Sequence, residues 1–123
     1  LFPYTTLFRS DKLTAVSNYN LPSKVQGVAF DDNGSIYLST SYGRNNSSYL
    51  KVYSSLLSLD KKPNEPKVKV EMPPCSEEVA IADGTVFVLF ESASAKYFEG
   101  TDGMGKSPAP IDKLLEVSVA SIW

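Results

Sequence analysis

The sequence predicts an all-β protein, and two observations carry this prediction. A stretch of about 50 residues recurs along the chain of 123 residues, and each copy has a tight-turn dipeptide between two apolar runs. These dipeptides are Asn33-Gly34 and Asp83-Gly84. Asn, Asp and Gly tolerate the positive φ of a hairpin turn, so each copy is expected to begin with a β-hairpin. The length suits one small domain.

Composition excludes several classes of function. The chain has 12 basic and 14 acidic residues, for a net charge of -2, which does not suit a nucleic-acid binder. No apolar run approaches the length of a membrane-spanning helix. The chain has no histidine and one cysteine, Cys75. It therefore cannot by itself supply a Ser-His-Asp triad, a Cys-His pair, a zinc site of Cys and His, or an internal disulfide.

The first ten residues have a different origin in our interpretation. Residues 1–10 resemble the conceptual translation of a short-read sequencing adapter at all ten positions. The segment has no initiating Met, and Pro3 and Arg9 interrupt its apolar run, so it does not fit a signal peptide. We expect residues 1–10 to be non-native and the natural sequence to begin at Asp11, within a longer gene.

The internal repeat follows one pattern. Residues 21–30 recur as 72–81 at a spacing of 51, and residues 34–38 recur as 84–88 at a spacing of 50. A further segment recurs after an insertion around residues 93–111. A period near 50 residues is typical of a four-stranded propeller blade.

We therefore predict about two antiparallel blades of a β-propeller, in an incomplete ring. One blade covers about residues 21–72 and the next about 73–123, while residues 12–20 close a preceding blade. The last blade lacks its fourth strand. The predicted strands pair as 25–31 with 35–41 and 76–82 with 85–91, followed by third strands at 48–54 and 113–119 and an exposed outer strand at 67–71.

The second hairpin is apolar on both faces, as expected for a blade between two neighbours. Ala80, Phe87 and Leu89 share one face. The other face carries Val79, Ile81, Val86, Val88 and Phe90. In a two-blade fragment we expect this second face to lack its neighbour, so the fragment alone should associate.

Residues 26–39, which read QGVAFDDNGSIYLS, resemble a blade of the six-bladed propellers that include NHL-repeat proteins and gluconolactonase-like (SMP-30 type) enzymes. The likeness covers about residues 12–122 as two blades. It implies that the chain is the C-terminal third of a larger protein. Propellers of this kind include lactonases, binding proteins and scaffolds, so the resemblance implies fold more than activity.

Three carboxylates gather at one end of the second hairpin. Pairing through its turn makes Glu78 and Glu91 near neighbours, with Glu77 towards the other face. Close like charges favour solvation, protonation or a cation, and oxygen clusters suit calcium or magnesium. The resemblance implies a metal-binding Glu at the place of Glu77 or Glu78, but the Asn and Asp ligands of that family are not matched. A solvated acidic rim is the alternative.

Candidate ligand contacts lie at the same end. These are Gln26, Tyr42 and Arg44, the last two in a polar loop with an exposed aromatic residue. A plain connector between strands is the alternative. We therefore predict a fragment of a propeller that binds a small molecule or a protein. A metal-dependent lactone or ester hydrolase and a scaffold without a site remain alternatives, and we assign no catalytic residue.

Two further features favour plain structural roles. Residues 100–107 read GTDGMGKS and match the phosphate-loop pattern G-x-x-x-x-G-K-S. Pro108 and Pro110 fall where its helix should follow, and Asp102 adds negative charge, so an insertion loop is predicted instead. Cys75 has no histidine or nearby lysine to activate it, which disfavours a nucleophile.

Overall fold

The protein contains two antiparallel sheets joined in sequence. This computed structural model describes residues 15–123, so the adapter-like segment lies outside the described residues. The elements are β1 (Val25–Phe30), β2 (Ile36–Thr40), β3 (Ser48–Tyr53), α1 (Leu56–Lys61), β4 (Val68–Met72), β5 (Ser76–Ala82), β6 (Thr85–Phe90), α2 (Ala95–Phe98), β7 (Leu115–Ser118) and α3 (Val119–Ile122).

The strand order is β1-β2-β3-β4 in the first sheet and β5-β6-β7 in the second. Every pair is antiparallel, so both predicted hairpins, both third strands and the outer strand β4 are confirmed. Residues 15–20 form no strand, and the rest of the strand predicted at 12–20 lies outside the described residues. The all-β prediction is confirmed for residues 15–123, in which the short helices α1 and α2 lie in connections between strands and α3 follows the last strand.

Tight turns close the two hairpins as their dipeptides predict. Gly34 has φ 81°, and Asp83 and Gly84 have φ 49° and 73°. In the first turn, Asp31 Oδ1 accepts hydrogen bonds from the backbone N–H groups of Asn33 (2.9 Å) and Ser35 (3.0 Å). This local hydrogen bonding fixes the turn and with it the register of β1 on β2.

The main hydrophobic core lies between the two sheets. Ala29, Tyr37, Leu50, Val52, Val79, Val86, Val88 and Phe90 form this core. The prediction that the Val79 face lacks a neighbour is wrong, because that face packs on the first sheet. The face that stays open carries Ala80 and Leu89, and Leu89 is 50% exposed.

A second, smaller core lies beneath α1. Ile36, Leu38, Tyr53 and Leu59 form it. Ser55 caps the helix, since its hydroxyl accepts from the Ser58 N–H at 3.1 Å. The strand periodicity used for prediction did not reveal this six-residue helix.

The C-terminal residues return to the first sheet. β7 ends at Ser118, so Val119, predicted to continue the strand, begins α3 instead. Trp123 Nε1 then donates to the Tyr37 hydroxyl at 2.8 Å, and that hydroxyl donates to Asp31 Oδ2 at 3.0 Å.

Among residues 15–123, no helix is long and apolar enough to cross a membrane.

Candidate functional site

The first strands of the two sheets, β1 and β5, meet closely at Gly27. A Cβ on Gly27 would lie 2.8 Å from the Glu77 carbonyl oxygen and 2.9 Å from Glu78 Cα, closer than real Cβ atoms approach. Glycine is therefore required at this position. Nearby, the Ser39 and Ser76 hydroxyls share a buried hydrogen bond of 2.6 Å between the sheets. These contacts bring together the strand ends on which the candidate residues were predicted.

A β-bulge decides which glutamates meet. β5 loses regular register on β6 between Ser76 and Val79. A bulge places an extra residue on one strand and re-aims its side chains. Regular pairing would set Glu78 beside Glu91, whereas in the structure Glu77 lies close enough to Glu91 for that carboxylate to raise its pKa. The predicted neighbour of Glu91 is thus shifted by one residue.

The Glu77–Glu91 contact changes the proton affinity of the site. Burial raises the pKa of Glu77, and the neighbouring carboxylates of Glu91 and Glu78 raise it further. Neighbouring like charges disfavour the charged form of a carboxyl group. The folded protein therefore disfavours the charged form of Glu77, and a cation bound nearby would offset that cost.

The Glu78 carboxylate lies against the other sheet, at Gly27. Its Oε1 accepts from the Val79 N–H at 3.0 Å and lies 2.6 Å from the position of a Cβ on Gly27. Within residues 15–123, no group of three or more acidic, histidine or cysteine side chains is arranged to hold a metal ion. A metal at Glu77, Glu78 and Glu91 stays a prediction.

Arg44 does not lie open to a ligand. Its side chain is 7% exposed, and the guanidinium forms a two-pronged ion pair with the Asp102 carboxylate. It also donates to the carbonyl oxygens of Lys96 and Gly105 and lies 4.6 Å from the ring centre of Tyr97. All these partners belong to the insertion, so Arg44 joins the insertion to the first sheet.

The phosphate-loop pattern has no phosphate-loop structure. Residues 100–107 form turns, and no helix follows them before α3. Asp102 binds Arg44, which lowers the pKa of its carboxyl group. The segment is an insertion loop, as predicted, and the Arg44 side chain holds it against the first sheet.

The exposed residues of the polar loop line an open cleft beside β2 and β3. It has a volume of about 420 Å³. We call it the β2–β3 cleft, and it is lined by Ser23, Lys24, Thr40, Ser41, Tyr42, Asn45, Asn46, Ser47, Tyr49 and Lys51. Tyr42 is 63% exposed, and Lys24 Nζ lies 4.5 Å from its ring centre. Tyr42 thus presents an aromatic surface in a polar setting.

Gln26 lies next to this cleft without lining it. Its side-chain amide donates to the Lys24 carbonyl oxygen at 3.4 Å, and the Ser41 N–H donates to the same oxygen at 3.1 Å. Of the three predicted ligand contacts, the structure brings Gln26 and Tyr42 to one region. Arg44, between Tyr42 and the asparagines in sequence, points to the insertion.

The lysines of the cleft were not among the predicted site residues. Lys51 of β3 pairs directly with Lys69 of β4. Burial lowers the pKa of Lys51, and the positive charge of Lys69 lowers it further. The alternation of lysine and valine around Lys69 is visible in the sequence. Its pairing with Lys51, however, depends on the register of β3 on β4, which no short turn connects.

Cys75 is a buried thiol beside the glutamate pair. It is 2% exposed, and burial, followed by the charge of Glu91, raises its pKa. A raised pKa leaves the thiol protonated and a weak nucleophile, which agrees with the sequence-based view.

Comparison with known proteins gave no relative: no protein-family model, no curated protein and no solved structure matches this chain.

Proposed function

We propose that this chain is part of a β-propeller that binds a small polar ligand in the β2–β3 cleft. The observation that carries the proposal is the cleft itself, in which an exposed tyrosine, Tyr42, stands among amide and hydroxyl side chains. Small-molecule sites are concave and usually have volumes of about 300–1,000 Å³. An aromatic surface beside a few polar groups gives such a site both contact area and orientation.

The propeller part of the proposal rests on the two meandering sheets. Their first strands, β1 and β5, lie against each other, and the outer strand β4 is farthest from that contact in its sheet. Together with the 50-residue repeat, this arrangement supports two neighbouring blades around a shared axis. The open face around Leu89 would then receive the next blade.

Ligand screening with matched tyrosine variants tests the binding proposal. The 123-residue chain is screened by thermal shift against a library of sugars, amino acids and small organic acids, and hits are titrated calorimetrically. Tyr42→Ala should abolish binding of the hits, because it removes the aromatic surface. Tyr19→Ala removes a comparably exposed tyrosine outside the cleft and should leave binding unchanged. Hits that bind Tyr42→Ala as well as wild type would contradict the proposal.

A metal-dependent lactone or ester hydrolase is the second candidate. The observation that favours it is the nearness of the Glu77 and Glu91 carboxylates, whose repulsion a cation would relieve. Such an ion would polarise a carbonyl and activate water, with its remaining ligands supplied by other blades. Calcium or magnesium should then raise the melting temperature of the wild type and not of Glu77→Gln. Equal shifts of the melting temperature with metal in wild type and Glu77→Gln would remove this candidate. A chain that binds neither a ligand nor a metal would be a scaffold.

A further inference from the structure

Positive charge is concentrated at the β2–β3 cleft. Lys24 and Lys51 line it, and Lys69 Nζ lies over the ring of the lining residue Tyr49 at 4.3 Å. The ion pairs among residues 15–123 are Arg44–Asp102, Lys62–Glu65 and Lys113–Asp112, so none of the three lysines has an acidic partner. Among the residues that the structure describes, no acidic side chain lines the cleft.

The pairing of Lys51 with Lys69 is unfavourable for the protein alone. Directly opposed like charges on neighbouring strands destabilise a sheet, and the two residues are register partners. The nearest carboxylate on β4, Glu71, accepts a hydrogen bond from the Ser47 hydroxyl at 2.6 Å. Burial lowers the pKa of Lys51 and the charge of Lys69 lowers it further, which agrees with repulsion between the two lysines. An anion placed between the two ammonium groups would relieve the repulsion and gain two charge-assisted hydrogen bonds.

We infer that the β2–β3 cleft binds an anionic saccharide, with its acidic group between Lys51 and Lys69 and its sugar ring against Tyr42. The other lining groups fit a polyhydroxylated ligand. The side-chain amides of Asn45 and Asn46 and the hydroxyls of Ser23, Thr40, Ser41 and Ser47 offer both donors and acceptors. The inference rests on the proposed binding function and names its ligand class.

Calorimetry on the full chain tests the charge requirement directly. Trigalacturonate is compared with galactotriose, its neutral counterpart of equal length, and with glucose 6-phosphate, which carries a phosphate instead of a carboxylate. We expect an acidic saccharide to bind at least about tenfold more tightly than the neutral one, as one charge-assisted hydrogen bond supplies roughly that factor. Raising the salt concentration should weaken only the acidic ligand. The carboxylate and phosphate arms show which acidic group the lysines prefer.

Lysine variants assign the effect to the cleft. Lys51→Met keeps the length and apolar stem of the side chain while removing its charge. It should weaken binding of the acidic ligand by at least about tenfold. Lys62→Met removes an exposed lysine outside the cleft and should leave affinity unchanged. Circular dichroism of both variants checks that they fold. Inorganic phosphate alone serves as a control for simple ion attraction.

The outcomes separate this inference from the binding proposal. Equal affinity for galactotriose and trigalacturonate would overturn the anion requirement and leave the binding proposal standing. If inorganic phosphate binds as tightly as both acidic sugars, the inference that the ligand is a saccharide is overturned. If none of these ligands binds, the saccharide inference is overturned, and Tyr42-dependent hits from the wider screen then decide the binding proposal separately.

Discussion

The Arg44 guanidinium donates hydrogen bonds to both carboxylate oxygens of Asp102, which lies 58 residues further along the chain. The same arginine donates to two carbonyl oxygens of the insertion, those of Lys96 and Gly105. A single side chain from the loop after β2 therefore orders the insertion between β6 and β7. The loop's exposed neighbours, Tyr42 and Asn45, are left to line the β2–β3 cleft.

Breaking this ion pair should release the insertion. Asp102→Asn and Arg44→Met should each lower the melting temperature and speed proteolysis within residues 100–106, because each leaves the other partner's hydrogen bonds unmet. The double variant should lower the melting temperature by less than the sum of the two single variants, as expected for coupled residues. Asp112→Asn, in an exposed ion pair, is the control. Additive losses would contradict direct coupling of Arg44 and Asp102.

The β1–β5 contact should not tolerate a methyl group at Gly27. Gly27→Ala forces a Cβ against the backbone of Glu77 and Glu78, and we expect it to reduce the free energy of unfolding by about 1–3 kcal/mol. Gln26→Ala, an exposed neighbour on the same strand, should change it little. Urea denaturation measures both, and equal effects of the two substitutions would contradict the close approach.

The Glu77–Glu91 contact predicts a pH-dependent stability. Because the folded state raises the pKa of Glu77, its favourable contribution is present at low pH and is lost as pH rises through the raised pKa. At pH 7, Glu77→Gln should therefore melt at a higher temperature than wild type, and the difference should vanish near pH 4. Glu99→Gln, at an exposed site, serves as control. Chelator is included throughout, and a Glu77→Gln protein that is less stable at pH 7 would overturn this reasoning.

The open face of the second sheet predicts self-association. Ala80, Phe87, Leu89 and Leu114 line a hollow of about 400 Å³ there, together with Glu78, and exposed apolar surface of this kind favours association. Sedimentation velocity should show concentration-dependent oligomers of the full chain, and Leu89→Glu should shift them to monomer. Leu57→Glu, at an exposed leucine of α1, should not. A monomeric wild type at high concentration would contradict this prediction.

Sequence reasoning recovered the parts of the fold that local signals determine. The turn dipeptides fixed both hairpins, and the Lys-Val alternation of residues 67–71 identified the outer strand. It could not recover what depends on packing between distant segments. The bulge that sets Glu77 beside Glu91 is a sheet-level adjustment, and the capture of Arg44 by Asp102 depends on how the insertion folds back.

The candidate site divides in the same way. Tyr42 was predicted as a ligand contact because an aromatic residue in a polar connector stands out in the sequence, and the structure places it, exposed, in the lining of the β2–β3 cleft. Lys51 and Lys69 were missed because their pairing requires the register of β3 on β4, which are joined by a long connection containing α1. The face around Val79 was wrongly predicted to lack a neighbour, because alternation separates two apolar faces without saying which one the first sheet covers.

Backbone amide NMR of the full chain, uniformly labelled with ¹⁵N, tests the central claim most directly. Spectra are recorded with trigalacturonate, galactotriose and glucose 6-phosphate in turn. A ligand-binding β2–β3 cleft predicts that the amide shift changes of a bound sugar concentrate at residues 23–24, 40–47 and 49–51. They should be absent in Tyr42→Ala and retained in Tyr19→Ala. Shift changes centred on another surface, or a bound sugar whose shifts persist unchanged in Tyr42→Ala, would contradict the claim that this cleft is the binding site.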